Sequence, residues 1–186
     1  MKTIMAIVFF IALGSGSFAQ TEVGDIKVPN TFKAANTNLV LNGAGIREKY
    51  WLDLYVGALY LKVKSNDANK ISAADETMAI KLHIVSDMIT SEKMATAVDE
   101  GFTNATNNNT ASIQPRINQF KAVFKEKIHE GDVYDLVYES GKGVLIYKNN
   151  KLAVTIPGLD FKKALFGIWL CSQPADEDLK EKMLGK

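Results

Sequence analysis

The sequence predicts an α+β fold in which helices cover a large antiparallel sheet. Residues 77–85 alternate, with apolar side chains on one face and Lys81 and His83 on the other, which is typical of a half-exposed antiparallel strand. Residues 112–128 instead repeat apolar side chains at helical spacing. Strands come first, then two helices, then more strands and further helices, an order that favours α+β.

Three earlier segments contribute to the first half of the predicted sheet. Residues 23–28 and 38–41 are weaker strand candidates, whereas residues 55–61 are apolar on both faces and rich in aromatic and branched side chains. This composition predicts a central strand that is covered on both sides. The Gly43-Ala44-Gly45 segment predicts a tight turn that leads into that strand.

The second half of the sheet is predicted from a hairpin and one further strand. Residues 133–138 and 143–147 are joined by a short segment that contains glycine, as in a β-hairpin. The Asn149-Asn150 pair predicts a turn into a strand over residues 151–156.

Four helices are predicted from periodicity and capping residues. The first follows the predicted N-cap Ser91, and the second covers residues 112–128. The third begins at a predicted cap, Asp160, and runs through Leu170. A short helix over residues 177–183 closes the chain.

Residues 1–19 have the features of a secretory signal peptide. Lys2 supplies a positive charge, residues 4–13 are almost continuously apolar, and Ser17-Phe18-Ala19 places small residues at a cleavage site. The apolar run is too short for a helix that spans a bilayer, which needs about 20 residues. We therefore expect an exported protein, periplasmic or secreted, whose residues 20–186 form a single domain.

The composition argues against several classes of function. Residues 1–19 contain one lysine and no acidic residue, so the rest of the chain carries 21 basic and 21 acidic residues and no formal net charge. This balance argues against a nucleic-acid surface. Two histidines and one cysteine do not form a metal-ligand pattern, so no metal or other cofactor is expected. Residues 20–186 are expected to be soluble, without a transmembrane segment.

Cys171 and His83 are both given structural interpretations. Cys171 ends an apolar run and has no histidine near it in sequence, which favours a buried structural thiol over a catalytic one. His83 lies on the polar face of its strand and is predicted to be a solvated surface residue.

Arg47 is the residue whose role the sequence leaves open. It follows the glycine-containing segment and precedes a strand too apolar to lie at the surface. An arginine in such surroundings needs a partner, because burial of an unpaired charge is costly. It can pair with a structural acid such as Asp53 or Glu48, or it can hold an anion with its planar guanidinium group.

Two separated parts of the chain resemble the chalcone isomerase-like family. One is Asn42-Gly43-Ala44-Gly45-Ile46-Arg47 together with residues 55–61, and the other is residues 156–170. The family includes plant flavonoid isomerases, plant fatty-acid-binding proteins and secreted bacterial relatives. The resemblance covers most of residues 37–184. It implies an open-faced β-sandwich, a large antiparallel sheet covered by helices.

The resemblance also implies a ligand site at Arg47 and Tyr55. In the fatty-acid-binding relatives, the arginine after the glycines acts with a tyrosine on the next strand to hold the fatty-acid carboxylate. Tyr55 falls at that strand position, where the isomerases have a threonine. The two residues are only eight positions apart, so the loop between them is expected to be tighter than in the plant proteins.

The catalytic groups of the isomerases have no equivalents at the aligned positions. Their tyrosine and asparagine at the start of the first long helix align with Thr90 and Ala97. The resemblance therefore favours a non-catalytic protein that binds a small amphipathic anion, such as a fatty acid. Two alternatives stay open: an enzyme that catalyses intramolecular addition in a chalcone-like substrate, and an exported structural or partner-binding protein without a ligand.

Overall fold

The computed structural model describes residues 20–186, in which nine strands form two sheets. The strands are β1 Gln20–Val23, β2 Ile26–Pro29, β3 Thr31–Ala34, β4 Thr37–Lys49, β5 Leu52–Leu61, β6 Met78–Ile84, β7 Val133–Glu139, β8 Gly143–Lys148 and β9 Lys151–Ile156. Strands β3 to β9 form one antiparallel sheet in chain order, and β1 pairs with β2 in a separate ribbon. The predicted signal peptide lies outside the described residues.

Five helices accompany the large sheet. They are α1 Ala68–Ala73, α2 Ser91–Ala105, α3 Gln114–Ala122, α4 Leu159–Leu170 and α5 Glu177–Met183. The predicted α+β class, with helices on a large antiparallel sheet, is confirmed. Among residues 20–186, no helix combines the length and the apolar character that crossing a bilayer requires.

Both faces of the sheet are covered by apolar side chains. On one face, side chains such as Leu59 and Ile80 join those of the helices, including Phe102 of α2 and Phe161 of α4. On the other face, a second cluster contains Tyr60 and other alternate residues of the central strands, packed with residues of the β1–β2 ribbon. Strand β5 is buried from residue 55 to residue 61, as the prediction of a central covered strand requires.

The predicted strand over residues 23–28 is a hairpin instead. Gly24 has a φ angle of +56°, which breaks the strand into β1 and β2.

Two side chains of intermediate burial also differ from the sequence-based predictions. His83 is half-buried beside the second apolar cluster, and burial, followed by the charge of Lys81, lowers its pKa. Cys171 is only partly buried because it is the first residue after α4.

Three predicted helix ends are shifted. Helix α2 is capped by Thr90 rather than Ser91, since the Thr90 hydroxyl accepts the backbone N–H of Lys93 at 3.2 Å. Helix α3 ends at Ala122 rather than at residue 128. The backbone N–H groups of residues 123–125 donate to the carbonyl oxygens three positions earlier, as in a 3₁₀-helix, instead of four positions earlier as in an α-helix. Asp160 does not cap α4, because its carboxylate accepts two hydrogen bonds from Arg116.

The glycines of residues 43–45 lie inside β4 and do not form a turn. Helix α5 crosses the strand at this point. A Cβ atom on Gly43 would come within 2.0 Å of the carbonyl oxygen of Lys182, and one on Gly45 within 2.8 Å of the Lys182 Cβ. The turn into β5 is formed instead by Tyr50 and Trp51, whose φ angles are +55° and +61°.

Candidate functional site

A cleft of about 470 Å³ opens between the β4–β5 hairpin and the start of α2. Its walls are mainly apolar and include Leu52, Leu54, Met88, Ile89, Met94 and Ala97. Charged side chains of both signs lie at the exposed rim: Lys49, Glu92, Lys93 and Glu100. An apolar cleft with few polar groups is the usual form of a small-molecule site.

Strand pairing and helix periodicity bring the cleft residues together. In the antiparallel register of β4 and β5, Arg47 lies directly opposite Tyr55. Helix α2 starts after its Thr90 cap and places Met94 and Ala97, three positions apart, on the wall that faces the hairpin. The short turn between β4 and β5 is the tight connection that the spacing of Arg47 and Tyr55 predicts.

Arg47, Tyr55 and Trp169 form one polar cluster at the inner end of the cleft. The guanidinium carbon of Arg47 lies 5.7 Å from the centre of the Tyr55 ring. Arg47 Nη1 donates to the Tyr55 hydroxyl at 3.4 Å, and Trp169 Nε1 donates to the same oxygen at 2.9 Å. Tyr55 and Trp169 are both buried, so the cluster is fixed by packing as well as by hydrogen bonds.

The hydrogen bonds of this cluster leave donors available. Arginine and the indole of tryptophan are donors only, so the Tyr55 oxygen accepts from both neighbours. Its own O–H then remains to donate, and no acceptor for it is found among residues 20–186. The Nε of Arg47 is buried and likewise has no partner there. Two donors, one of them on a cation, are thus available to an acceptor in the cleft.

No acidic side chain of residues 20–186 pairs with Arg47. Asp53 and Glu48 are paired with each other in the strand register near the turn, and neither lies within 4.0 Å of the guanidinium nitrogens. Of the two alternatives for Arg47, pairing with a structural acid is therefore not the one found in residues 20–186. A cation without a carboxylate partner, at the end of an apolar cleft, is suited to bind an anion.

The cleft ends at this polar cluster. Behind it lies a space of only about 30 Å³, bounded by side chains that include Leu82, Val98, Phe120 and Phe124. That volume is close to the share of one water molecule in the liquid. The larger space beside Arg47, toward the hairpin tip and α2, is therefore the one that can hold the chain of a ligand.

The residues at the positions of the isomerase catalytic groups offer no phenol or amide. Ala97 presents a methyl group to the cleft, and Thr90 uses its hydroxyl as the helix cap. Within residues 20–186, no cluster of three or more His, Cys, Asp or Glu side chains could hold a metal ion. Arg47 and Tyr55 supply hydrogen-bond donors to the inner end of the cleft.

Trp169 is the site residue that sequence reasoning missed. It lies in the continuous apolar run of α4, where an indole is expected to serve only as core packing. Its contact with Tyr55 joins residues 114 positions apart, and no local pattern indicates such a pairing.

The comparisons with known proteins agree with this architecture. A family model described as chalcone isomerase-like matches residues 20–185. Among solved structures, the crystal structure of a fatty-acid-binding protein from Arabidopsis thaliana matches with a TM-score of 0.67 and 16% sequence identity. The match covers 86% of this chain and 92% of the plant chain. At this identity the likeness shows a shared fold. No curated protein matches the sequence at a significant level.

Proposed function

Since this chain belongs to the chalcone isomerase-like family, we propose that it is an exported, non-catalytic protein that binds a small amphipathic anion. The ligand that we propose is a fatty acid, with its carboxylate at Arg47 and Tyr55 and its chain along the apolar cleft. The plant protein with the same fold is a fatty-acid-binding protein, which supports this choice. Export rests on the character of residues 1–19.

The observation that carries the proposal is the unused donor capacity at the inner end of the cleft. The buried Nε of Arg47 has no partner among residues 20–186, and the Tyr55 O–H has no acceptor there. An unsatisfied buried donor costs about 1–3 kcal/mol, and more when it is charged. A carboxylate supplies two acceptor oxygens and a negative charge, which together match these donors.

The open cleft favours ligand binding over the two alternatives. A protein whose cleft is filled by its own side chains would leave little room beside Arg47, whereas about 470 Å³ is present. An isomerase needs several oriented donors around its substrate, and loss of one such donor costs on the order of 10²–10³-fold in rate. Here Ala97 supplies none, and Thr90, whose hydroxyl oxygen accepts the capping hydrogen bond of α2, does not line the cleft.

Binding of dodecanoic acid to Arg47→Met and Tyr55→Phe tests the proposal. We expect Arg47→Met to weaken binding roughly 10–100-fold, because a hydrogen bond to a charged group contributes about 1.5–3 kcal/mol. Tyr55→Phe removes only one donor and should weaken it less. Isothermal titration calorimetry gives the dissociation constants. Dodecanol, which lacks the negative charge, should bind the parent protein more weakly than the acid.

Lys49→Met is the matched control for loss of a positive charge. Lys49 also lines the cleft but lies at its exposed rim, so its removal should change the dissociation constant little. Equal binding by the parent protein and Arg47→Met would contradict the proposal. A large fall in the melting temperature of Arg47→Met, together with no binding by the parent, would assign Arg47 a structural role.

An absorbance assay with 2′-hydroxychalcone, whose phenol can add to its own enone, separates the enzymatic alternative. We expect no cyclisation above the uncatalysed rate. Turnover that disappears in Arg47→Met would show that the protein is an isomerase and that the aligned helix positions mislead.

A further inference from the structure

The mouth of the cleft carries a compact group of exposed apolar side chains. Trp51 is 95% exposed, Tyr50 79%, Met88 53% and Leu52 45%. Tyr50 and Trp51 form the tip of the β4–β5 hairpin, and Tyr50, Leu52 and Met88 also line the cleft. Exposed apolar side chains that lie together, rather than singly, are typical of a surface that binds a partner or a membrane.

Tyr50 and Trp51 have a backbone conformation that other residue types adopt more readily. Lys49 pairs with Leu52, so Tyr50 and Trp51 form a two-residue turn, with φ angles of +55° and +61°. Such turns favour asparagine and glycine, and bulky side chains at positive φ are rare. The β8–β9 turn of the same chain has nearly the same φ angles, +50° and +65°, and uses Asn149 and Asn150. The turn geometry therefore does not explain the aromatic side chains at the β4–β5 tip.

We propose that the β4–β5 tip inserts into the surface of a lipid bilayer, so that the cleft exchanges the chain of its ligand directly with the membrane. The exchange part rests on the proposed function, whereas the docking part rests on the tip alone. Tryptophan and tyrosine are the residues that favour the region of the lipid headgroups, because each combines an apolar ring with a polar edge. The blocked inner end of the cleft directs a ligand chain toward this same tip.

The charges at the rim fit a zwitterionic headgroup. Lys49 and Lys93 are balanced there by Glu92 and Glu100, and the Lys49 ammonium lies 5.7 Å from the centre of the Tyr50 ring. A phosphocholine headgroup likewise carries one charge of each sign. Because the rim has no large positive excess, docking should depend mainly on apolar insertion and only weakly on anionic lipid or salt.

Two other occupants of the tip fit less well. A large aromatic side chain buries about 150–250 Å², so this tip falls short of the roughly 800 Å² per partner that a specific protein interface uses. Gln20, the first residue that the structure describes, lies away from the tip. Gln20 pairs with Pro29, whose carbonyl oxygen accepts the hydroxyl of Tyr60 near the far end of β5. That position belongs to the opposite face of the sheet from the cleft.

Vesicle binding by tip variants tests the docking. Trp51→Asn and the double variant Tyr50→Asn/Trp51→Asn remove the aromatic rings and introduce residues that the turn accepts, so the fold should be retained. We expect the parent protein to sediment with phosphatidylcholine vesicles and its tryptophan emission to shift to shorter wavelength. Trp51→Asn should lower the partition coefficient roughly tenfold, and the double variant further.

Val63→Asn is the matched control. Val63 is 79% exposed and lies just beyond the opposite end of β5, so its loss should leave vesicle binding unchanged. All variants share the same N-terminal residues, and differences among them therefore report on the tip. Phosphatidylcholine with brominated chains should quench the exposed Trp51 but not the buried Trp169, and Trp51→Asn should abolish the quenching.

A second experiment measures the exchange of fatty acid between the cleft and the membrane. If the tip docks, the rate of fatty-acid transfer from the protein to acceptor vesicles should increase with vesicle concentration, and Trp51→Asn should remove that dependence. Absence of vesicle binding by the parent protein, or equal binding by Trp51→Asn, overturns the inference. A dimer that Trp51→Asn dissociates would also overturn it, because a second copy would then cover the tip.

The proposed function and the docking fail in different ways. If the protein binds dissolved dodecanoic acid but not vesicles, the ligand proposal stands and the docking is wrong. If it binds vesicles through Trp51 but binds no fatty acid, the docking stands and the ligand proposal is wrong.

Discussion

Lys162 places a positive charge in the interior of the protein. The residue is fully buried in α4. Its ammonium group donates to the carbonyl oxygens of Ile71, Ser72 and Ala74 at 2.8, 3.0 and 2.9 Å. These carbonyls close the C-terminal end of α1, where the helix dipole favours a cation. Lys162 therefore joins α1 to α4 through groups that would otherwise lack partners.

The stability of the protein should increase with pH because of Lys162. Burial, followed by the charge of Lys163, lowers the pKa of Lys162 to about 8, below the value of about 10.4 in an unfolded chain. Between pH 8 and 10 the unfolded state thus binds more protons at this residue, so Lys162 should add about 2 kcal/mol to the free energy of unfolding over this range. Urea unfolding at several pH values measures this rise.

Two variants isolate the contribution of Lys162. Lys162→Met should be less stable overall and should lose the rise between pH 8 and 10. Lys163→Met, which removes the exposed neighbour, should retain it. Burial also raises the pKa values of Tyr60, Tyr134 and Tyr138, so ionisation of these tyrosines in the unfolded chain lowers the free energy of unfolding by about 0.4 kcal/mol each at pH 10. This opposing effect is shared by the parent and both variants, so the difference between the parent and Lys162→Met gives the contribution of Lys162. An unchanged rise in Lys162→Met would show that another group is responsible.

At the candidate site, the sequence indicates individual residues but not their hydrogen bonds. The family resemblance singles out Arg47 and Tyr55, and the structure places their side chains in contact with each other in the wall of the cleft. Trp169 could not be predicted, since an indole in an apolar helical run is indistinguishable from core packing. Whether Asp53 or Glu48 pairs with Arg47 depends on the directions of these side chains near the turn, and sequence spacing does not determine those directions.

Among the elements, the contact of α5 with β4 explains the glycines of the strand. Glycine most often indicates a turn, which is why the sequence predicts one at residues 43–45. In the structure these positions lack side chains because α5 passes within contact distance of the strand backbone. The requirement comes from residues about 140 positions away and leaves no local signal. Similarly, α3 ends early although Phe124 and Ile128 stay buried, because burial of an apolar stripe does not require a continuous helix.

Gly43→Ala should destabilise the protein. The added Cβ would lie 2.0 Å from the backbone carbonyl of Lys182, so α5 must move, at a cost of about 1–3 kcal/mol or more. Gly57→Ala is the matched control, because its Cβ would meet no backbone atom at short range: its nearest neighbours are the flexible end of Leu179 at 3.3 Å and the Tyr55 ring at 3.6 Å. Thermal unfolding of both variants measures the difference. Equal melting temperatures would mean that α5 is not held against β4 in solution.

For the whole molecule, the proposed export implies that residues 1–19 are removed from the mature protein. We expect the exported protein to begin at Gln20 or within a few residues of it, because Ser17-Phe18-Ala19 has the small residues of a cleavage site. The family match, which begins at residue 20, supports this boundary. Sequencing of the N-terminus of the exported protein measures it, and an exported chain that retains Met1 would contradict the prediction.

The packing of α5 also affects when the fold can be completed. The Asn42 side chain donates to the carbonyl oxygen of Met183 at 2.8 Å, across 141 positions of the chain. The groove over Gly43 and Gly45 therefore stays open to water until α5 has joined the fold. Closure of the core thus depends on a contact of very high sequence separation, and such contacts form slowly. A chain in which α5 has not yet packed exposes the central strands to non-native pairing.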